Sequence, residues 1–387
     1  MASIRRHLLP VLLQRARQYP VVTVTGPSQS GKTTLCRMAF AQLPYANLEQ
    51  PDVREFARSD PLGFLARYPN GAVIDEVQRL PELLSWLQVR VDAQPGNGQF
   101  ILTGSHQFEL MASVTQSLAG RTALLRLLPL SINELRQADL DSGTDWLLLA
   151  GGYPRIHAQG LPPAVVLGDY FETYVERDLR QLVELRQLRE FRRFVQMCAG
   201  RVGNLLNLQS LAADVGVSGH TARAWMSLLE ASYVVYLLPP WFQNLGKRLT
   251  KSPKLYFYDV GLAAWLMGLR EVSQLANHPL RGHLFENLVV MEFFKHFEHH
   301  GLHQNLHFYR DSHGLEVDLL VENSEVPGGI GLVEIKSGQT YHEGFAGTLH
   351  RVAQVLGSRV QRKMVVYGGN EAYARNDVEV AGLRHLR

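Results

Sequence analysis

The sequence predicts an α/β fold with a mostly parallel sheet covered by helices on both faces. Short apolar runs at residues 21–25, 71–76 and 99–105 predict buried strands, and stretches with helical spacing lie between them. Polar residues end or follow these runs at the carboxyl end, where open parallel sheets gather their ligand groups. The 387 residues are 46% apolar, which suffices for two or three domains with hydrophobic cores.

The segment GPSQSGKTT at residues 26–34 directly follows the first predicted strand and precedes a predicted helix. In this context the pattern G-x-x-x-x-G-K-[ST] indicates a P-loop. The backbone N–H groups of such a loop surround phosphate oxygens, Lys32 reaches the β- and γ-phosphates, and the Thr33 hydroxyl binds Mg²⁺. We therefore predict a P-loop NTPase domain that binds ATP with Mg²⁺. The predicted nucleotide contacts in the loop are Gly26, Pro27, Ser28, Gln29, Ser30, Gly31, Lys32, Thr33 and Thr34.

The predicted strand at 71–76 ends in two carboxylates. Asp75 is predicted to hold Mg²⁺ through water, and Glu76 to polarise the water that attacks the γ-phosphate. At the end of the next strand, Ser105 or Thr103 is predicted to act as a polar sensor of that phosphate. Arg121 has two interpretations: a sensor or a finger acting on a neighbouring subunit of a homo-oligomer, or a structural arginine.

The middle of the chain has the spacing of a winged helix-turn-helix. Helices predicted at 190–199, 208–216 and 219–232 are followed by a strand at 233–238 and a wing tip at 247–251. Between residues 186 and 254, ten basic residues face three acidic ones. The basic residues are Arg186, Arg189, Arg192, Arg193, Arg201, Arg223, Lys247, Arg248, Lys251 and Lys254. A basic winged helix typically contacts phosphates, so we predict DNA as a partner; the alternative is a winged helix that packs against protein.

The C-terminal part places further acids on predicted elements. A helix at 283–299 aligns Glu286 with an apolar stripe, which is costly unless the carboxylate has a partner. In a strand at 315–321 the acids, Asp318 among them, share one face, and in a strand at 332–336 Glu334 and Lys336 share a face. A turn at 327–329 joins these strands as a hairpin, and a helix at 342–356 and a strand at 363–367 follow.

This order of elements, with Asp followed by Glu-x-Lys, resembles the core of the PD-(D/E)XK nucleases and predicts a restriction-endonuclease-like α/β domain. The resemblance implies that Asp318 and Glu334, with Glu286 as a third acid, bind Mg²⁺ or Mn²⁺. It also implies that Lys336 orients the attacking water or stabilises charge on the phosphorane. The alternative is a salt-bridged fold that does not cut.

A second resemblance spans most of the chain. It rests on the stretches GPSQSGKTT, AVIDEVQ, ILTGS, SLAGR, LPLSINEL, GGYPR, YVERDL, SPKLYFYDVGLAAWL and GHLFENLVVMEFF. In this order they resemble a prokaryotic AAA+ ATPase family that has a C-terminal domain of unknown function of the 4143 type. The sequence departs from that family at Ser28, where an arginine is usual, and at Ser30, where a small apolar residue is usual.

We predict three domains, at residues 1–150 (ATPase), 151–270 (winged helix) and 271–387 (nuclease-like). The two cysteines, Cys36 and Cys198, favour a reducing compartment, the cytoplasm. No apolar run is long enough to cross a membrane. Three functions follow: an ATPase that acts on DNA with a fused nuclease, an ATP-regulated switch whose nuclease-like domain does not cut, and a protein-binding regulator.

Overall fold

The computed structural model of the chain describes residues 4–105, 117–175, 187–241, 252–303, 305–323, 326 and 328–386. Its N-terminal part contains a five-stranded sheet with the order β2-β3-β4-β1-β5, in which every pairing is parallel. The strands are β1 (Val21–Thr25), β2 (Tyr45–Asn47), β3 (Ala72–Asp75), β4 (Phe100–Thr103) and β5 (Thr122–Arg126). The predicted parallel sheet is confirmed.

Helices cover both faces of this sheet. They are α1 (Leu8–Gln18), α2 (Lys32–Ala39), α3 (Pro51–Ser59), α4 (Pro61–Ala66) and α5 (Leu83–Ala93). Because successive strand side chains point to opposite faces, β1 contributes to two cores. Val22 and Val24 pack in one core with residues of α1 and α2, whereas Val21 packs in the other with residues of α4 and α5.

The middle part is mainly helical. Its helices are α6 (Ile132–Gln137), α7 (Thr144–Ala150), α8 (Pro154–Gln159), α9 (Pro163–Tyr170), α10 (Leu188–Ala199), α11 (Leu208–Val215), α12 (Gly219–Ala231) and α13 (Val260–Leu266). An antiparallel pair, β6 (Val235–Leu238) and β7 (Lys254–Phe257), follows α12. Between α11 and α12, Gly216 takes the left-handed conformation that ends a helix, and the Ser218 hydroxyl accepts the Thr221 N–H. The predicted wing tip at 247–251 and Arg186 lie outside the described residues.

The C-terminal part is a six-stranded mixed sheet with the order β12-β13-β11-β10-β9-β8. Helix α14 (Arg281–His299) precedes it and α15 (Gly347–Leu356) lies between β10 and β11. The strands are β8 (Leu306–Arg310), β9 (Glu316–Asn323), β10 (Gly329–Lys336), β11 (Val360–Tyr367), β12 (Ala372–Arg375) and β13 (Val378–Gly382). The predicted hairpin is present as the antiparallel β9–β10 pair, and its Pro327 lies outside the described residues. No residues were predicted for β8, β12 or β13.

One continuous hydrophobic core joins the middle and C-terminal parts. Its buried members run from Leu128 to Leu383 and include Phe285 and Phe294 of α14 together with Tyr256 of β7. The predicted boundary at residue 270 therefore falls inside a shared core, and α14 is packed from both sides.

A buried ion pair connects the start of the chain to α6. Arg6 Nε lies 3.1 Å from Glu134 Oε1, and its two terminal nitrogens donate to the carbonyls of Ser30 and Leu128, each at 2.6 Å. Glu134 also accepts the His7 N–H at 2.7 Å. Burial would raise the pKa of Glu134, but the Arg6 guanidinium, His299 and the N–H donors hold it at about 2.

Glu134→Gln should destabilise the protein strongly, because it leaves the Arg6 guanidinium buried beside a neutral group. Breaking a buried pair from one side costs about 3–5 kcal/mol. Denaturant unfolding followed by circular dichroism measures the change. Glu55→Gln is the matched control, since Glu55 pairs with Arg58 on the surface and an exposed pair contributes at most about 1 kcal/mol. Equal effects of the two substitutions would contradict the role of the buried pair.

Candidate nucleotide site and a second carboxylate cluster

The glycines of the GPSQSGKTT segment allow the loop to lie close to its neighbours. Gly26 has a φ of 138°, and a Cβ there would lie 2.1 Å from the carbonyl oxygen of Leu127. Gly31 has a φ of 96° and forms the N-cap of α2. Both backbone conformations are strained for a residue with a side chain. The loop thus wraps around the amino end of α2, where N–H groups lack partners within the helix.

Lys32 is buried inside this loop. Its Nζ donates to the carbonyl oxygens of Gly26, at 2.9 Å, and Pro27, at 2.8 Å. Burial lowers the pKa of Lys32 to about 8, although Glu76 and Asp75 act in the opposite direction. A triphosphate in the loop would add negative charge beside this ammonium group and favour its charged form. The residues present therefore fit the phosphates of ATP.

Asp75 is held beside Thr33 at the carboxyl end of β3. The Thr33 hydroxyl donates to Asp75 Oδ2 at 2.9 Å, and the Tyr45 hydroxyl donates to the same oxygen at 2.6 Å. Thr103 donates to Asp75 Oδ1. Carboxylate and hydroxyl oxygens, together with water, are the ligands that Mg²⁺ prefers. Thr33 and Asp75 therefore fit the Mg²⁺ that accompanies ATP, while Thr103 positions Asp75.

Glu76 follows β3 in a left-handed backbone conformation with a φ of 57°. Burial raises the pKa of this carboxyl group, whereas Lys32 acts in the opposite direction. Gln78 donates from Nε2 to Glu76 Oε2 and, at 3.1 Å, to Ser105 Oγ. The Gln78 amide thus links the Glu76 carboxylate to the Ser105 hydroxyl at the edge of the sheet where β1 leads into the loop.

A cavity of about 530 Å³ opens over these residues. The predicted site residues that line it are Ser28, Gln29, Gly31, Lys32, Thr33, Thr34, Glu76 and Ser105. Sequence reasoning missed Gln78 and also Arg155, which lines the same cavity from α8. The signal for Arg155 was present in the stretch GGYPR, where a cation follows a glycine turn and begins a helix.

The structure places two predicted contacts elsewhere. Ser30 is fully buried, and its backbone carbonyl accepts from Arg6. Arg121 pairs with Asp92, with its Nε and Nη2 at 2.6 and 2.8 Å from the two carboxylate oxygens. Because β5 runs parallel to β1, a residue just before β5 lies at the amino edge of the sheet. Of the interpretations of Arg121, this position fits a structural arginine and not a sensor of the nucleotide in its own chain.

The acids predicted in the C-terminal part converge on two lysines. Lys336 Nζ lies 2.6 Å from Glu334 Oε1 and 3.9 Å from Asp318 Oδ2. Lys254, which the sequence placed in a DNA-binding surface, is buried here: its Nζ lies 2.9 Å from Glu286 Oε1 and 3.9 Å from Asp318 Oδ1. The same ammonium group is also 2.6 Å from Oε1 of Glu316, on the strand that carries Asp318. The pKa of Lys254 is raised because these carboxylates outweigh the effect of burial.

This arrangement differs from the three-ligand cation site that the sequence predicts. Among the described residues, no three His, Cys, Asp or Glu side chains are placed to hold a metal ion together. The ammonium group of Lys254 lies against Glu286 and Asp318 instead. Burial and neighbouring carboxylates raise the pKa of Asp318 to about 6 and that of Glu334 to about 7. The protonated forms of Asp318 and Glu334 therefore stabilise the folded state below about pH 4, and this contribution is lost as the pH rises through about 6 to 7.

Three parts of the chain match known families of protein domains. An AAA domain matches residues 18–136, so this part of the chain is a P-loop ATPase domain of the AAA type. Residues 143–273 match a domain of unknown function, DUF8612, and residues 281–386 match another, DUF4143. The predicted resemblance to an AAA-type ATPase with a C-terminal domain of the 4143 type is confirmed.

Uncharacterized proteins of Mycobacterium tuberculosis and Mycobacterium bovis are each 31% identical to this chain over 381 residues. The match covers 97% of this chain and 83% of each relative. The chain therefore belongs to the same family as these two proteins.

Solved structures that are similar to parts of the chain include one from Pyrococcus abyssi and one from Thermotoga maritima. A Walker-type ATPase of Pyrococcus abyssi has 17% identity and a TM-score of 0.46, and the match covers 67% of this chain and 94% of that one. The RuvB Holliday junction branch migration motor of Thermotoga maritima has 18% identity and a TM-score of 0.32, and the match covers 60% of this chain and 87% of that one.

Among the described residues, no helix is both long and apolar enough to cross a membrane.

Lys254→Gln should open the carboxylate cluster to divalent cations, because it removes the ammonium group that balances Glu286 and Asp318. We expect millimolar Mn²⁺ to raise the melting temperature of this variant by a few degrees and to leave the unsubstituted protein unchanged. A thermal shift assay with EDTA-treated protein, in the absence of nucleotide, measures the difference. The double variant Lys254→Gln/Asp318→Asn is the control and should lose the shift. A Mn²⁺ shift in the unsubstituted protein that Asp318→Asn abolishes would show that Lys254 does not block the site.

Proposed function

We propose that this protein hydrolyses ATP and uses the nucleotide cycle to act on DNA. Lys32, Thr33 and Glu76 line one cavity, and Asp75 is held against Thr33; this arrangement carries the first half of the proposal. Triphosphate hydrolysis needs three groups: a charged lysine, a carboxylate next to a hydroxyl, and a second carboxylate that is not part of this carboxylate–hydroxyl pair.

Each residue has a distinct role in the proposed reaction. Lys32 neutralises the β- and γ-phosphates, and Thr33 with Asp75 would hold Mg²⁺, which withdraws charge from the phosphate oxygens. Glu76 accepts a proton from the attacking water, and its raised pKa suits a general base. Arg155 adds a cation from the middle part of the chain, so that the triphosphate contacts two parts of the protein.

Glu76→Gln should bind ATP with unchanged affinity and should hydrolyse it at least about 100-fold more slowly, because the amide cannot accept the proton. Steady-state phosphate release measures turnover, and equilibrium binding of a fluorescent ATP analogue measures affinity. Lys32→Ala is the contrasting variant and should lose binding itself. Unchanged turnover in Glu76→Gln would overturn the role of Glu76, and absence of turnover in the unsubstituted protein with Mg²⁺ would leave a nucleotide-binding switch.

The DNA half of the proposal rests on the arrangement of α10 to α12 and the β6–β7 pair. The order of three helices and two antiparallel strands is that of a winged helix, with α12 as the helix that enters a groove. Arg223 is exposed on α12, and Arg189, Arg192 and Arg193 are exposed on α10. Two of the predicted DNA contacts are removed from the proposal: Arg201 pairs with Asp214, and Lys254 is buried. Lys247, Arg248 and Lys251 lie outside the described residues.

Arg223→Glu should weaken binding to duplex DNA and reduce the slope of log Kd against log salt concentration by about one, as expected for a lost phosphate contact. Fluorescence anisotropy over a range of potassium chloride concentrations provides both values. Arg17→Glu is the matched control, since Arg17 is exposed on α1, far along the chain from the proposed interface. If both variants bind DNA as the unsubstituted protein does, α12 serves as a packing surface and the partner is a protein.

A second candidate function concerns the C-terminal part alone. The sheet and the two helices that flank its central strands have the element order of PD-(D/E)XK nucleases, which supports a nuclease-like domain. The buried Lys254 within the carboxylate cluster favours a domain that does not cut in this arrangement. Lys254→Gln tests this as well, since Mn²⁺-dependent cleavage confined to this variant would show a cutting site held closed by a lysine.

A further inference from the structure

We propose that Gln78 is a positioning residue that aligns Glu76 and the attacking water in the ATPase site. The inference rests on the proposed hydrolysis of ATP and adds a residue to that reaction. Gln78 lies in a single 3₁₀ turn, Val77–Arg79, directly after Glu76. It is 8% exposed and lines the nucleotide cavity together with Lys32 and Thr33.

The contacts of the Gln78 amide fix its orientation. A carboxylate only accepts hydrogen bonds, so the amide nitrogen must face Glu76 Oε2. The same nitrogen donates to Ser105 Oγ at 3.1 Å, which ties the amide to the end of β4. Its two hydrogens are thereby directed to Glu76 and Ser105, and Gln78 Oε1 is left as an acceptor.

Gln78 Oε1 is buried and has no hydrogen-bond partner among the described residues. An unsatisfied buried carbonyl oxygen is unfavourable, so a donor in the cavity that reaches this oxygen is favoured. A water molecule supplies two O–H donors. When it donates one to Glu76 and the other to Gln78 Oε1, its oxygen lone pair is directed away from both acceptors. That pair is then available to attack.

In the proposed step the water oxygen forms a bond to the γ-phosphorus. The bond from the γ-phosphorus to the bridging oxygen breaks, and its electron pair leaves on ADP. The proton passes to Glu76, while Gln78 exchanges none and only directs the second O–H. The same amide also restrains Glu76, whose left-handed backbone conformation is strained for a residue with a side chain.

Gln78→Ala should lower kcat for ATP about 10- to 100-fold and change KM and the binding affinity for ATP less than about threefold, because positioning acts on the attack and not on phosphate binding. Gln78→Glu should be as slow, since a second carboxylate repels Glu76. Gln94→Ala is the matched control, because Gln94 is exposed at the end of α5. The melting temperature checks whether Gln78→Ala has a folding defect, and it should change little in this variant and in the control.

The double variant Gln78→Ala/Glu76→Gln separates positioning from a structural role. If Gln78 acts through Glu76, its removal should cost no further activity once Glu76 is replaced, whereas independent effects would multiply. A kcat for Gln78→Ala equal to that of the unsubstituted protein would overturn the inference while leaving hydrolysis by Glu76 intact. A proportional loss of ATP affinity and kcat would also overturn it, since a purely structural role predicts that result. If Glu76→Gln retains full activity, the proposed function itself fails first.

Discussion

The buried guanidinium group of Arg6 joins the loop at residues 26–34 to the rest of the chain. It donates to the Ser30 carbonyl in the loop and to the Leu128 carbonyl after β5, and it pairs with Glu134 of α6. Glu134 in turn lies 3.6 Å from His299 at the end of α14. A buried charge is tolerated only with its partners in place, so the loop cannot shift without disturbing α6 and α14.

Helix α14 shares this connection with the carboxylate cluster. At its carboxyl end Glu298 pairs with Arg126 of β5 at 2.9 Å, and Lys295 donates to the Leu130 carbonyl at 2.9 Å. Near its amino end Glu286 accepts from Lys254 and from the Tyr256 hydroxyl. A helix of this length spans about 28 Å as a rigid rod. The ATPase part thus contacts the carboxyl end of α14, whereas Lys254 of the carboxylate cluster contacts the helix near its amino end.

Several predictions of the fold held because they rest on local rules. The strands at β1, β3 and β4 are short apolar runs, and the loop after β1 has glycines where the backbone takes positive φ values. The β9–β10 hairpin follows from alternation over a few residues. The last two strands, β12 and β13, were missed because their alternation is weak: β12 is exposed throughout, and β13 pairs in parallel with the distant β11.

The sequence by itself determined that the loop at residues 26–34 follows β1 and that Asp75 and Glu76 stand at the end of β3, since spacing within a few residues sets these positions. Only the tertiary structure decided what each side chain faces. In the folded protein Arg121 lies at the far edge of the sheet, Arg155 lines the nucleotide cavity, and Lys254 lies among the acids of the C-terminal part. These outcomes depend on strand direction and on how helices from distant segments pack, and charge counts along the chain carry no information about either.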